Sequence, residues 1–294
     1  MEISELYTIY KQHPLVTTDS RNCPKDSIFF ALKGENFNGN RFAEKALDEG
    51  CAYAVVDEWE GIPADKRIIV VEDVLNTLQK LANYHRRKLK IPIIAITGTN
   101  GKTTTKELVS GILSKEFNVA FTPGNFNNHI GVPLTLLSMT ENHEIGVVEM
   151  GANHPGEIKL LCDIAEPDFG LITNIGKAHI EGFGSFENIK KTKGGLYDFI
   201  REHGGKVFVN SDDALLCEMS SGMDRILYGR NNSELFVSGK LSSAHPFLEF
   251  DWNFFEHTYY VKTQLVGAFN FDNALAAVAV GKYFGINAEY ISEA

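Results

Sequence analysis

The chain has 294 residues, 44% of them hydrophobic and 22% charged, and its formal net charge is −10. This composition is typical of a globular protein with room for two ordinary domains, and the negative charge argues against a nucleic-acid partner held by phosphate neutralisation. The cysteines, Cys23, Cys51, Cys162 and Cys217, are scattered without a Cys-x-x-Cys pair, so neither a zinc site nor a disulfide framework is indicated. No signal-peptide pattern and no apolar run of the roughly 20 residues that span a bilayer is found, so we expect a cytoplasmic protein without membrane insertion.

Short strand and helix patterns alternate over the first 90 residues. The predicted elements are, in chain order, a strand at 27–32, a helix at 42–49, strands at 52–56 and 67–71, and a helix at 74–89. Polar loops at 17–21 and 33–41 flank the first strand, and their residues alone favour turn chemistry over a binding site. A basic run at 85–88 followed by Pro92 marks a domain boundary near residue 90.

An apolar run then leads into the stretch Thr97-Gly98-Thr99-Asn100-Gly101-Lys102-Thr103-Thr104, ahead of a helix predicted from Thr103 to about Lys115. The two glycines allow backbone N–H groups to turn toward an anion, while Lys102 supplies a cation and Thr103 a hydroxyl for Mg²⁺. The spacing departs from the standard P-loop, because Ile96 stands where that pattern has its first glycine. On these residues alone a phosphate cradle and an ordinary strand–turn–helix both remain open.

Two further strands carry polar residues at their carboxyl ends. The strand 145–150 delivers Glu149, and the strand 169–173 leads into a glycine-punctuated loop with His179. In open α/β sheets ligands bind at this edge, so the region from residue 91 is predicted to be a doubly wound unit whose crevice includes Glu149. A carboxylate there suits Mg²⁺, although an isolated Glu would be expected to point into solvent and an isolated His to be structural. The helix predicted at 186–203 carries several lysines, which are typical of a solvated face.

The last third of the chain mixes strands with an alanine-rich helix. A strand is predicted at 205–210, antiparallel strands at 236–266, and a helix from Gly267 to about Phe284. Asn270 and Asn273 lie three residues apart at the start of this helix. They either cap the helix or present amides to a purine, and capping is the interpretation that the residues alone favour.

These segments, in this order, resemble the Mur ligases of bacterial cell-wall synthesis, and within that family the ligases that add D-alanyl-D-alanine to UDP-N-acetylmuramoyl-tripeptide. The matching stretches are Asp19–Arg21, Ile28–Gly39, Thr97–Thr103, Gly124–Pro133, Glu149–Ile158, His179–Ser185 and Gly267–Asn273. Those at 124–133 and 149–158 are similar to the D-alanyl-D-alanine-adding members in particular. The cradle and the asparagine pair are shared with other Mur ligases and with folylpolyglutamate synthetases.

The resemblance implies an α/β fold of two domains. A small N-terminal α/β domain, residues 1–90, binds the UDP-linked substrate, and a doubly wound P-loop-type central domain, residues 91–294, binds ATP. Family members carry a third, C-terminal domain that binds the incoming amine and closes over ATP, and we expect this domain to be absent here. The 294-residue chain is therefore expected to be a monomer that binds nucleotide weakly and does not turn over alone.

Residue roles also follow from the resemblance. The backbone from Gly98 to Thr104 and Lys102 hold the ATP phosphates, Thr103 and Glu149 serve one Mg²⁺, and His179 serves a second. Lys193 becomes carbamylated, so that Lys102, His179 and Lys193 are the catalytic candidates. The remaining candidates contact adenosine or the substrate. Asn270 and Asn273 are expected at the adenine or ribose, and Ser20 and Arg21, with the loop after Lys33, at the UDP-sugar. The substrate or phosphate is expected to be contacted by Asn125, Asn127 and Asn128.

The reaction that the resemblance implies passes the γ-phosphoryl group of ATP to the terminal carboxylate of UDP-N-acetylmuramoyl-tripeptide. D-Alanyl-D-alanine then attacks the acyl phosphate to form an amide, with ADP and phosphate as the other products. Such chemistry requires positioning and charge neutralisation and no protein nucleophile. The alternatives are another Mur ligase, a folylpolyglutamate synthetase-like ligase, or a non-catalytic nucleotide-binding protein.

Overall fold

A computed structural model describes residues 1–61, 63–177 and 180–294. The helices are α1 (Ile3–Gln12), α2 (Ala43–Asp48), α3 (Val74–Leu89), α4 (Lys102–Leu113), α5 (Gly131–Leu137), α6 (Glu157–Ala165), α7 (Ile180–Phe183), α8 (Phe186–His203), α9 (Ala214–Met219), α10 (Asn270–Tyr283) and α11 (Ala288–Glu293). The strands are β1 (Val16–Thr17), β2 (Ile28–Phe30), β3 (Lys33–Gly34), β4 (Phe37–Asn38), β5 (Tyr53–Val56), β6 (Ile68–Val70), β7 (Ile93–Thr97), β8 (Val119–Phe121), β9 (Ile145–Glu149), β10 (Phe169–Ile172), β11 (Lys206–Asn210), β12 (Asp224–Arg230), β13 (Val237–Ser243), β14 (Glu249–Phe254) and β15 (His257–Lys262). None of these helices combines the length and the apolar character needed to cross a membrane.

The chain forms two compact units, and the first comprises Met1–Lys90 together with His129–Thr140. Its parallel sheet has the strand order β1-β2-β5-β6. The helix α3 begins where the sequence predicts it, because the Asp73 carboxylate accepts a hydrogen bond from Asn76 N at 2.7 Å. From the sequence, the segment 129–140 is predicted to belong to the central domain. In the structure α5 packs on α3, and the buried Tyr10 hydroxyl donates to Leu137 O at 2.6 Å.

The second unit comprises Ile91–Asn128 and Glu141–Ala294, and its sheet has the order β15-β14-β13-β12-β11-β10-β7-β9-β8. All neighbours from β8 to β13 pair in parallel, whereas β14 and β15 are antiparallel. The prediction of antiparallel strands over 236–266 is therefore only partly right. Its first strand, β13, continues the parallel sheet by pairing with β12 and turns antiparallel only toward β14.

Helices cover both faces of this larger sheet. At Gly170 of β10 the strand lies against Leu196 and Ile200 of α8, whereas the neighbouring Leu171 belongs to the hydrophobic core formed with α4 and α10. Because successive residues of a strand point to opposite faces, α8 and the α4–α10 pair lie on opposite sides. The prediction of a doubly wound α/β unit is confirmed.

The register of the parallel strands fixes one functional edge. Ile96 of β7 is paired with Glu149 of β9, and Thr97 with Ile172 of β10. The loop after β7, the Glu149 side chain and the segment after β10 thus meet at the carboxyl edge of the sheet, where ligands bind in folds of this kind.

Candidate active site

Two glycines shape the loop between β7 and α4. Gly98 has φ +151° and Gly101 has φ +78°. A Cβ atom on Gly98 would collide with the Thr173 side chain, and one on Gly101 would lie 2.5 Å from Asn273 Oδ1. Both positions therefore require glycine, for the backbone conformation and for the close approach of a neighbouring side chain.

The segment after β10 clamps this loop from the side. The backbone N–H groups of Thr99 and Asn100 donate to Asn174, to its carbonyl oxygen at 2.9 Å and to its side-chain oxygen at 3.1 Å. The Thr173 hydroxyl and the Asn174 amide in turn donate to Asn100 O, at 2.6 and 3.0 Å. Thr173 and Asn174 are not among the functional residues predicted from the sequence, where their one signal is that they follow a strand ending at the ligand-binding edge.

The next four backbone N–H groups, those of Gly101, Lys102, Thr103 and Thr104, have no acceptor among the described residues. They form the N-terminal end of α4, a helix of 12 residues. Unpaired N–H groups and the helix dipole together make such an end attractive to anions. The loop geometry therefore favours the phosphate cradle over an ordinary strand–turn–helix.

Two lysine side chains converge on the same loop. The Lys102 ammonium donates to Gly98 O at 2.9 Å and Thr99 O at 3.1 Å, and the Lys193 ammonium donates to Gly98 O at 2.9 Å. Lys193 is only 4% exposed, so the prediction of a solvated face is wrong at this position of α8. Burial, together with the nearby charge of Lys102, lowers the pKa of Lys193 to about 8. Burial also lowers the pKa of Lys102, while the charge of Glu149 opposes that shift.

Glu149 is the buried carboxylate of this edge, with an exposed fraction of 1%. Its Oε1 accepts hydrogen bonds from Thr103 Oγ1 at 3.2 Å and from Asn127 Nδ2 at 2.7 Å. Its Oε2 is buried and has no hydrogen-bond partner within the described parts of the chain. Glu149 thus does not point into solvent, which was the alternative for an isolated Glu, and its unsatisfied oxygen is available to a ligand.

A hard divalent cation fits this arrangement. An unpaired carboxylate oxygen beside a threonine hydroxyl and an anion cradle is the donor set that Mg²⁺ takes when phosphate oxygens and water complete its shell. Such a site needs few ligands from the protein itself. Residues 1–61, 63–177 and 180–294 contain no group of three or more His, Cys, Asp or Glu side chains able to hold a metal. His179, the candidate for a second cation, lies outside the described residues.

The asparagine pair of α10 braces the cradle. Asn273 Oδ1 accepts from the Thr105 hydroxyl at 3.2 Å, and Asn273 Nδ2 donates to Asn270 Oδ1 at 3.0 Å. Asn270 Nδ2 donates to Val266 O at 3.0 Å. The capping interpretation is wrong, because α10 begins without a side-chain cap. The pair instead connects α10 to α4 directly beneath Gly101.

The substrate candidates fall into two groups. In the first unit, Ser20 is buried, and the exposed Arg21 guanidinium pairs with Asp19 through two hydrogen bonds of 2.9 Å, which holds the pKa of Asp19 at about 2. In the second unit, Asn125 and Asn128 are exposed on the loop after β8. Asn127 of the same loop is tied to Glu149.

The chain is similar to known proteins in sequence and in fold. The profile of the Mur ligase middle domain matches residues 96–281, and that of the Mur ligase family catalytic domain matches residues 14–86. The chain is 38% identical over 275 residues to the UDP-N-acetylmuramoyl-tripeptide--D-alanyl-D-alanine ligase of Bacillus subtilis (strain 168). This alignment covers 93% of this chain and 59% of that relative.

Solved structures show the same relationship. MurF from Acinetobacter baumannii aligns with a TM-score of 0.84 at 32% identity, over 95% of this chain and 61% of that one. The MurF ligase from Thermotoga maritima in complex with ADP aligns with a TM-score of 0.83 at 28% identity, over 96% and 66% of the two chains. The chain thus spans about three fifths of the Bacillus subtilis relative, 59% of its length.

Proposed function

Because this chain belongs to the Mur ligase family, we propose that it forms the substrate-binding and ATP-binding parts of a ligase that adds D-alanyl-D-alanine to UDP-N-acetylmuramoyl-tripeptide. The observation that carries the proposal is the convergence of four backbone N–H groups without an acceptor among the described residues, two lysines and a buried carboxylate. The relatives that bear this activity in their names support the choice of substrates.

In this proposal the cradle binds the phosphates of ATP. The N–H groups of Gly101 to Thr104 donate to phosphate oxygens, and the Lys102 ammonium neutralises charge on the transferred γ-phosphoryl group. Transfer of the γ-phosphoryl group from ATP to the substrate carboxylate then produces an acyl phosphate and ADP. The amine of D-alanyl-D-alanine then forms the amide as phosphate leaves. We assign Asn270 and Asn273 to the adenosine; Asn273 lies against Gly101 of the cradle, and Asn270 is hydrogen-bonded to Asn273.

Thr103 and Glu149 are the residues that would hold Mg²⁺, with His179 as the candidate for a second ion. When bound, Mg²⁺ supplies charge neutralisation and orientation for the phosphoryl oxygens. Glu149 is prepared for this role, since Thr103 and Asn127 occupy its Oε1 and leave Oε2 for the ligand.

Lys193 is proposed to act as a carbamate. The Lys193 ammonium first loses one proton; the neutral amine then adds to CO₂, forming an N–C bond and releasing a second proton, so that a buried cation becomes an anion. The lowered pKa supports this step, because only the unprotonated amine reacts and a pKa of about 8 leaves a sizeable fraction unprotonated near neutral pH.

We assign the UDP-linked substrate to residues 1–90 and ATP to residues 91–294. The change from one compact unit to the other between Lys90 and Ile91 supports this division, except that the segment 129–140 packs with the first unit. Ser20 and Arg21 are the sugar-nucleotide candidates of the first domain, and Asn125 and Asn128 are candidates for contact with the substrate or with phosphate. We further propose that the protein acts in the cytoplasm as a monomer.

Calorimetric titration of the 294-residue chain tests this assignment. We expect binding of Mg-ADP and of UDP-N-acetylmuramoyl-tripeptide, with Lys102→Ala abolishing the first and Arg21→Ala weakening only the second. UDP-N-acetylmuramoyl-dipeptide and dihydrofolate serve as probes for the sister ligases. Failure to bind Mg-ADP, or equal affinity for ADP in Lys102→Ala, would overturn the nucleotide site; tighter binding of either probe would reassign the substrate.

A further inference from the structure

A buried lysine that the ligation chemistry does not use lies one helical turn after Lys102. The Lys106 side chain is fully buried, and its ammonium donates to Thr122 O at 2.8 Å and Gly124 O at 3.1 Å. Glu107 Oε1 lies 2.8 Å from the same nitrogen. Burying a cation is costly unless its hydrogen bonds are satisfied, and here two of the partners are carbonyl oxygens of a single loop.

That loop leads directly to the candidate metal carboxylate. The Thr122 hydroxyl accepts from Glu149 N at 2.9 Å, so the residue held by Lys106 also contacts the backbone of Glu149. Further along the loop, Asn127 donates to Glu149 Oε1 at 2.7 Å, while its carbonyl oxygen accepts from Gly151 N at 2.7 Å. A Cβ atom on Gly151 would lie 2.7 Å from Asn127 Oδ1. The Asn127 amide therefore has little freedom as long as the loop stays in place.

We propose that Lys106 is a positioning residue for metal binding, a proposal that rests on the function proposed above. It fastens the loop 122–127 to α4, the helix that also carries Thr103. Through this loop it holds Asn127 on one oxygen of Glu149 and so directs the other oxygen toward the cation. Lys106 itself touches neither nucleotide nor metal.

A positioning role for Lys106 affects the affinity for the cation and leaves the affinity for metal-free ADP unchanged, whereas a general loss of structure would reduce both. The cradle amides are held by Asn174 and by α4, so the affinity for metal-free ADP should not depend on Lys106. The affinity for the cation in the presence of ADP should depend on it, because loss of a group that orients a metal ligand costs 10- to 100-fold in metal affinity.

The test measures the dissociation constant of Mn²⁺, a paramagnetic substitute for Mg²⁺, by electron paramagnetic resonance with saturating ADP. Lys106→Met is expected to raise this constant about 10- to 100-fold, with metal-free ADP affinity by calorimetry within about twofold of wild type. Lys106→Arg, which keeps a cationic donor, is expected to recover most of the metal affinity. The matched control is Lys282→Met, which removes a lysine that donates to Ile286 O at 3.1 Å and lies over the Phe254 ring, away from the loop.

Unchanged Mn²⁺ affinity in Lys106→Met would overturn the proposal, and so would an equal loss in Lys282→Met. If Lys106→Met does not fold, Lys106→Gln is measured in its place, with the same results expected for the affinity for Mn²⁺ and for metal-free ADP. A wild-type chain that binds neither ADP nor Mn²⁺ with ADP would refute the proposed function instead. The two failures are therefore distinguishable.

Discussion

Replacing Lys193 by methionine should stabilise the second unit near neutral pH. The ammonium of Lys193 is buried against Gly98 O, and its pKa is about 8, compared with an ordinary value of 10.5. A depressed lysine pKa means that the folded state holds the protonated form less favourably than the unfolded chain does. Methionine has a similar length and carries no charge, so it removes this penalty.

The size of the effect follows from the pKa shift. At about 1.36 kcal/mol per unit, the shift corresponds to a penalty of about 3 kcal/mol at pH 7. Loss of the hydrogen bond to Gly98 O offsets about 1 kcal/mol, which leaves a net stabilisation of about 2 kcal/mol. Between the two pKa values the unfolded chain binds more protons than the folded one, so wild-type stability rises with pH relative to the variant. By pH 9.5 the free energy of unfolding of the wild type should have risen by about 2 kcal/mol relative to that of the variant, so the two proteins should be almost equally stable.

Urea unfolding at pH 7 and pH 9.5 in CO₂-depleted buffer measures this difference. The chain has two tryptophans, and the buried Trp252 belongs to the second unit, so a Trp59→Phe background leaves one reporter of the unit that contains Lys193. A difference between Lys193→Met and its parent that does not change with pH would refute the argument. So would a variant that is less stable than its parent at pH 7.

Three further outcomes are expected. Glu149→Gln should reduce the gain in ADP affinity on adding Mg²⁺ by about 10- to 100-fold and leave metal-free ADP binding intact, as measured by calorimetry; an unchanged gain would exclude Glu149 as a metal ligand. Gly101→Ala should weaken ADP binding by at least about 5- to 30-fold, because the new Cβ meets Asn273 at φ +78° and a left-handed residue costs about 1–2 kcal/mol; affinity within twofold of wild type would contradict this. In ¹³C-bicarbonate the chain should show a carbamate resonance that disappears in Lys193→Met and is retained in Lys191→Met, and its persistence in Lys193→Met would assign the modification elsewhere.

Sequence patterns were sufficient where local chemistry decides the structure. The helices α3 and α8 begin and end where predicted because Asp73 and Ser185 cap them and a polar face alternates with an apolar one. The strands that carry Glu149 and the cradle were likewise recognisable from their apolar runs.

The residues that were missed act through contacts between distant segments. Lys106 belongs to a stretch of polar residues on α4 and is buried only because the loop after β8 brings two carbonyl oxygens to it. Asn174 holds the cradle through its position after a neighbouring strand, more than 70 residues away in the chain. The segment 129–140 joins the first unit because Leu137 meets Tyr10. None of these contacts can be predicted from local hydrophobic periodicity or from a helix-capping pattern.

Ligation is the most direct test of the central claim. Residues 1–294 are fused to the part of the Bacillus subtilis relative that follows the matched region, and the fusion is incubated with UDP-N-acetylmuramoyl-tripeptide, D-alanyl-D-alanine and Mg-ATP. We expect UDP-N-acetylmuramoyl-pentapeptide by mass, one ADP for each product, and no product from the Lys102→Ala fusion or from the 294-residue chain alone. A fusion that binds ADP yet forms no pentapeptide, or an unimpaired Lys102→Ala fusion, would contradict the account.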